Sequence, residues 1–278
     1  MIASICKRSA AAGLDRLGRS LGFLWGGWAG LAAVFLLAAV WQAGHEAYGA
    51  FVLPRPEETL RAAWAILQRP DYRAIVALSL LRALEGFAMA SILGVLLGLA
   101  SGYSPASLRL ARPLLTLMLG VPPIAWIVLA MIWFGIGQGT ILATIVIAVA
   151  PVLFVGAVEG VAQRDRGLDI LCQAFGAGPF RRFWASACPQ AMQQIFPALA
   201  LGLGVAVKVA VMAELLTHTV GIGRLLATAR ANLDITEALA WVLIAVAGLI
   251  LLEYGVLHPL RAEAERWRDA SRAWGVRR

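Results

Sequence analysis

Residues Gly120–Gly139 read GVPPIAWIVLAMIWFGIGQG and lie inside an uncharged run from Pro113 to Val158. No core helix of a water-soluble domain needs that much apolar length, so this segment belongs in a bilayer. Yet Pro122 and Pro123 stand side by side within it. Proline lacks an amide donor and its ring clashes with the preceding turn. In lipid a freed carbonyl costs several kcal/mol, so a broken helix survives only against protein or a wet cavity. The proline pair, followed by Trp126, Trp133 and the hinge Gly135-Ile-Gly-Gln-Gly139, predicts a helix built around a passage. The alternative is a kinked helix that only packs.

Composition agrees with a membrane setting. The 278 residues are 60% hydrophobic and 14% charged, with a mean hydropathy of +0.78, whereas soluble domains are about a quarter charged. The net charge of +8 would suggest nucleic acid in a soluble chain. Here the arginines cluster between apolar stretches and read as an orientation signal, so no nucleic-acid partner is expected. The stretch Ser20–Gly44 is uncharged, too long for the apolar part of a signal peptide and long enough to span. With Lys7, Arg8, Arg16 and Arg19 before it, it reads as a retained first helix.

The expected fold is an all-α polytopic membrane protein with six transmembrane helices. They are placed near Leu21–Ala43, Gly86–Ser101 (entered from a helix starting near Tyr72), Pro113–Phe134, Thr140–Val158, Gln190–Leu216 and Thr236–Leu257. Sixteen Lys and Arg fall in one set of loops and tails and six in the other, which places both termini in the cytoplasm. The chain then divides into a cytoplasmic segment 1–20, a membrane domain 21–260 and a basic cytoplasmic tail 261–278. No linker separates two folded domains. Gly94 with Gly98, Gly98 with Gly102 and Gly26 with Gly30 are four-residue pairs suited to close helix packing.

Outside the spans, Glu57–Leu67 has helical periodicity with Leu60, Ala63, Trp64 and Leu67 on one face, a short helix expected on the outer surface. The longest inner loop, 162–189, is expected to hold two short helices. Asp169-Ile-Leu-Cys-Gln-Ala-Phe-Gly176 ends at glycine, and Ala177–Trp184 begins near Pro179. Ile170, Leu171, Phe175, Phe180, Phe183 and Trp184 are too apolar for a solvated loop. They either dock against a partner or fold back on the chain's own spans.

No nucleotide-binding loop, metalloprotease motif or nucleophile elbow is present. His45, His218 and His258 are scattered, and Cys6, Cys172 and Cys188 lack metal-ligand spacing. No catalytic site, metal or cofactor is expected. Two charges sit within the fifth span. A charge near the bilayer centre costs at least about 2.5–3.5 kcal/mol, so Lys208 should face a wet cavity or the bundle interior. It either holds a passing anion or pairs with Glu85 or a second subunit. Glu214, about 120° away around the helix, reads as structural, bonding backbone donors of the Gly221–Gly223 turn. Arg82 and Glu85 read as an ordinary pair three residues apart on a helix.

Several stretches together resemble one family, the permease subunits of bacterial ABC importers, in the nitrate/sulfonate/taurine branch. They are Phe51-Val-Leu-Pro-Arg-Pro-Glu57, Ser79-Leu-Leu-Arg-Ala-Leu-Glu-Gly-Phe87, Val121–Gly137, and Met212-Ala-Glu-Leu-Leu216 followed by Gly221-Ile-Gly223. The likeness covers about 51–257. Its cytoplasmic loop pattern is met at Gly176 and Pro189 and departed from at Ile170-Leu171-Cys172, where the family has Glu-Ala-Ala, and at Ser186 and Cys188. The resemblance implies a type I importer fold, a dimer with a second permease subunit, two cytoplasmic ATPase subunits, an extracytoplasmic binding protein and a place in the bacterial inner membrane. It implies an ATPase-coupling role for the loop bearing Asp169, Ile170, Leu171, Phe175, Gly176, Phe180, Arg181 and Pro189. The path candidates are Pro122, Pro123, Trp126, Lys208 and Glu214, and the expected solute is a small anion. The outer helix and the Gly221–Asp234 loop are expected to meet the binding protein. Rival readings are a degenerate, non-transporting permease-like subunit and an ion-coupled secondary transporter. The latter calls for paired intramembrane carboxylates, which are scarce here.

Overall fold

The computed structural model describes residues 32–257, which contain helices and connecting turns but no strand. The chain divides into two compact units, 1–61 and 62–278. In the first, helix α1 occupies 32–48 and the turn after it folds back. Trp41 Nε1 donates to Pro54 O at 3.0 Å, and His45 Nδ1 lies 2.7 Å from Leu53 O. The expected spans begin with Leu21–Ala43, of which the part before residue 32 lies outside the described residues, as do the segments 1–20 and 261–278 and the pair Gly26–Gly30.

Prolines set many of the helix starts. α2 (Pro56–Gln68), α3 (Pro70–Gly102), α4 (Pro105–Gly120), α5 (Pro123–Phe134) and α8 (Pro179–Arg182) each begin on one. The first helical residue has no intrahelical use for an N–H, and the proline ring fixes φ where the helix needs it. α6 (Gln138–Ala162), α7 (Arg166–Ala174), α9 (Cys188–Thr217), α10 (Ile222–Ala231) and α11 (Ile235–Leu252) complete the set.

The expected third span is not one kinked helix: α4 and α5 meet at 98°. Lone prolines at 151 and 197 leave α6 and α9 unbroken. The pair differs because a residue before proline is pushed out of the helical region, and here that happens twice in succession. Val121 adopts φ −84°, ψ 126° and Pro122 φ −57°, ψ 141°, two extended residues that turn the chain.

The core is a bundle of α3, α6 and α9 around Phe87, Ile145, Leu153 and Leu203. α3 meets α6 along a glycine seam. A Cβ on Gly94 would lie 2.5 Å from Ala150 O, and one on Gly98 2.6 Å from Phe154 O. These expected packing glycines therefore do set the backbone distance. The contacts climb together, from Gly86 beside Ile145 to Gly102 beside Val161, so α3 and α6 run parallel. The chain must return along the bundle between them, and α4 with α5 makes that return. α9 runs antiparallel to α6, with Gly156 against Ala198 and Gly160 against Ala191.

Among the described residues, four helical segments are long and apolar enough to cross a membrane, and the bent pair makes five if it counts as one crossing. The expected fifth span starts earlier than Gln190. α8 passes through a π-turn, Phe183–Ala187, into α9, giving one helical run from Pro179 to Thr217. The expected second short helix of the inner loop is thus the first turn of that run. The expected apolar face of α2 divides in two, with Ala63 and Leu67 packed and Leu60 and Trp64 exposed. Ala63 and Ile66 pack against Ile222, Ala229, Trp241 and Ile244.

Candidate functional site

The polar residues of the described bundle gather at its two ends. At the end formed by the start of α3 and the close of α9, Glu214 is fully buried. Burying a carboxylate costs several kcal/mol unless hydrogen bonds replace its water. Its oxygens receive Ser79 Oγ at 2.9 and 2.8 Å, Arg82 Nη1 at 3.1 Å and the Gly223 amide at 3.2 Å. Ser79 Oγ in turn accepts from the Ile222 amide at 2.9 Å, and Arg82 Nη1 donates to Val220 O at 2.6 Å. The chain between α9 and α10 is shaped to fit. His218 ends α9 in the left-handed region at φ 53°. A Cβ on Gly221 would stand 2.1 Å from the Glu214 carboxyl carbon. Glu214 thus bonds the Gly221–Gly223 turn as its sequence position suggested.

Arg82 does not. Its partner is Glu214, 132 residues away, and not the neighbouring Glu85, which accepts from Gln138 Nε2 at 3.1 Å. A carboxylate stripped of water attracts the guanidinium more strongly than a half-buried one three residues along the helix. Ser79 and Arg82, one helical turn apart, form one half of a clamp. Nothing in the sequence joins them to position 214.

Lys208 occupies a different setting. It is exposed and lines a groove of about 350 Å³ whose other walls include Val211, Met212, Leu215, Trp241 and Val246. Among the described residues it has no ion pair or hydrogen bond, and Glu85 is not its partner. Pro122 and Pro123 are exposed at the α4–α5 bend, and Trp126 is half-buried with its indole N–H in no hydrogen bond among the described residues. None of these three lines the Lys208 groove, so the path candidates do not form a single cluster.

At the other end of the bundle lies the 162–189 segment. Asp165 Oδ1 caps α7 by accepting from the Gly167 amide at 2.7 Å. α7 closes at Gly176, whose φ of +74° favours glycine. The Ala177 amide reaches back to Cys172 O at 3.0 Å and the Gly176 amide to Gln173 O at 2.9 Å, the paired bonds of a Schellman stop. Asp169 faces inward: Arg164 Nε lies 3.3 Å from Oδ2, and Ser186 Oγ donates to Oδ1 at 3.0 Å. Ile170, Leu171, Phe175, Phe180 and Trp184 face outward, with Phe175 83% and Phe180 77% exposed. Phe183 is half-buried and lines a pocket with Tyr103 and Arg164, whereas the other five residues of the expected apolar cluster do not fold back on the described spans. Arg181 and Pro189 are exposed as well.

A bundle of long apolar helices, with a fixed polar clamp at one end and an uncovered apolar face at the other, defines a polytopic membrane component that works with partner chains. Residues 76–254 match the family described as binding-protein-dependent transport system inner membrane component. The chain is 31% identical over 192 residues to the taurine transport system permease protein TauC of Escherichia coli (strain K12), covering 69% of this chain and 70% of that one. It is 27% identical over 229 residues to the nitrate import permease protein NrtB of Leptolyngbya laminosa, covering 79% and 81%. To the putative aliphatic sulfonates transport permease protein SsuC of Escherichia coli (strain K12) it is 28% identical over 196 residues, covering 70% and 74%. The chain belongs to the binding-protein-dependent transport family: it is a multi-pass ABC transporter permease of the inner membrane, a transport subunit and not an enzyme.

Proposed function

We propose that this chain is the permease of an ATP-driven importer for a small anion, with six spans, both termini cytoplasmic and a second permease subunit completing the path. The observation that carries the reading is the apolar surface of Ile170, Leu171, Phe175, Phe180 and Trp184, left uncovered across α7, α8 and the π-turn at the bundle end. An apolar face of that size has a partner, and in this family the partner of such a loop is the ATPase. Asp169 and Gly176 shape that face, while Arg181 and Pro189 lie exposed beside it. At the opposite end, Gly221–Asp234 faces the binding protein, with Glu214 holding that segment in place. The bend at Pro122 and Pro123, with Trp126, lines the path.

The anionic solute rests on Lys208. A cation with no partner among the described residues, set in an apolar groove, raises the local concentration of anions, and the relatives named above carry taurine, nitrate and sulfonates in their names. The test is reconstitution of the chain with its ATPase and binding protein in proteoliposomes. Uptake of taurine, nitrate or an alkanesulfonate driven by internal ATP is expected, with an uncharged analogue of similar size excluded. An assembled complex that hydrolyses ATP without importing any solute would instead favour the non-transporting subunit, the reading suggested by Ile170-Leu171-Cys172.

A further inference from the structure

We infer that Asp169, with Arg164 and Ser186, is a positioning strut that makes α7 move as one body with the ends of α3, α6 and α9. The inference rests on the permease reading, and it assigns Asp169 to the inside of the chain and not to the ATPase contact. α7 has nine residues and none of them is buried. A helix that short is not stable in isolation, and apolar burial does not fix its direction here. Polar contacts do.

Those contacts form a connected circuit. Both Asp169 oxygens are taken, one by Arg164 just past the end of α6 and one by Ser186 in the π-turn below α9. The Arg164 guanidinium lies 4.4 Å from the centre of the Tyr103 ring, which caps α3. From Ser186 the circuit runs on to Gln190, whose Nε2 donates to Ser186 O at 3.1 Å and to Ser186 Oγ at 3.0 Å. The Asp165 amide closes it by donating to Gln190 Oε1 at 2.6 Å. Both ends of α7's first half are therefore tied to three different spans. Asp169 and Cys172 lie on the inward side, and Ile170, Leu171 and Phe175 on the outward side. A push on the outward face is resisted by the contacts of Asp169 and Asp165 with Arg164, Ser186 and Gln190 and passes into the segment that continues from α6 and into α9. Without the circuit, α7 pivots on its two connections and the push is lost.

The experiment uses Asp169→Asn, Ser186→Ala and Ser186→Thr in the complex with ATPase and binding protein. Asp169→Asn and Ser186→Ala should raise the ATP hydrolysed per solute imported several-fold while ATPase binding is retained. Ser186→Thr keeps the hydroxyl and should stay near the parent ratio. Combining Asp169→Asn with Ser186→Ala should add little, because both break one circuit. In parallel, peptide-resolved maleimide labelling of Cys172 in the chain alone, in nanodiscs, should speed up several-fold for Asp169→Asn and not for Ser186→Thr. An unchanged transport ratio in assembled Asp169→Asn overturns the strut. So does loss of ATPase binding with Cys172 labelling unchanged, the signature of a direct Asp169–ATPase contact. If the parent complex shows no solute-stimulated hydrolysis, the permease reading fails instead, and Cys172 labelling still judges the strut.

Discussion

Glu214 and Asp169 sit at opposite ends of the same bundle, each bonded to an arginine and a serine, yet they are built differently. Glu214 is sealed, with its Arg82 partner 11% exposed and Glu214 itself at 0%. Asp169 and Arg164 are 18% and 22% exposed, within reach of water. A sealed pair is expensive to break because the survivor is left charged and dry. A pair that water can reach opens at small cost. The end that holds α10 is therefore sealed by one strong pair, and the end that carries the uncovered apolar face is held by several weaker contacts acting together. In the importer proposed above, solute arrives at the sealed end and force at the other.

The largest effect should follow Glu214→Ala, which strands the Arg82 guanidinium. A loss of about 3–5 kcal/mol is expected for one partner of a buried pair, read as a sharp drop in thermal midpoint and in monodisperse yield. The double variant Arg82→Leu with Glu214→Leu removes both charges and should lose less than Glu214→Ala alone. Additive losses would show that the pair is not what holds this end together.

Next comes Gly176→Val. A β-branched residue in the left-handed region costs roughly 1–2 kcal/mol, small enough to leave the protein in the membrane but enough to disturb the α7 stop. Solute-stimulated ATP hydrolysis should fall sharply, and normal coupling in this variant would remove the loop from the transmission route.

Lys208→Met should leave complex yield unchanged, since Lys208 bonds no carboxylate within the described chain, and should cut anion uptake several-fold. Adding Glu85→Gln should change nothing, because Glu85 binds Gln138. If yield drops and Glu85→Gln restores it, the lysine pairs in the assembled complex and the anion role is lost.

The smallest effect belongs to Glu57→Ala. Its pair with Arg61 is 68% and 76% exposed, so a stability change beyond about 0.5 kcal/mol would contradict the burial argument. The three carboxylates at positions 214, 169 and 57 then form a graded series, testable by one thermal-shift measurement on each variant.

Much of the fold is legible in the sequence because it rests on local rules. The proline pair announces the break, Pro179 the start of a helix, and Gly176 the stop of α7. The spacing of Gly94, Gly98 and Gly102 announces the seam. Long-range pairing is not legible. The sequence places Glu85 three residues from Arg82, whereas the partner lies on α9, and only the fold brings it there. The inner loop misleads for a related reason. Pro189 suggests a boundary, but the helix absorbs it through a π-turn, so the run begins ten residues before it. On α2, Leu60 and Trp64 have the same period as Ala63 and Leu67, and periodicity does not say that the latter two meet the protein and the former two do not.

Where Gly94 and Gly98 let α3 meet α6, backbone touches backbone with no side chain between to cushion it. Sliding one helix past the other by a single residue, about 1.5 Å, would drive larger side chains such as Val95 and Leu97 toward those carbonyls. The two helices therefore behave as one stiff beam, roughly 35–40 Å long at 1.5 Å per residue. One end of that beam carries Tyr103 and Arg164, and the other carries Ser79 and Arg82. A displacement at the first end reaches the second without slack, and the element left to hinge on the beam is the α4–α5 elbow.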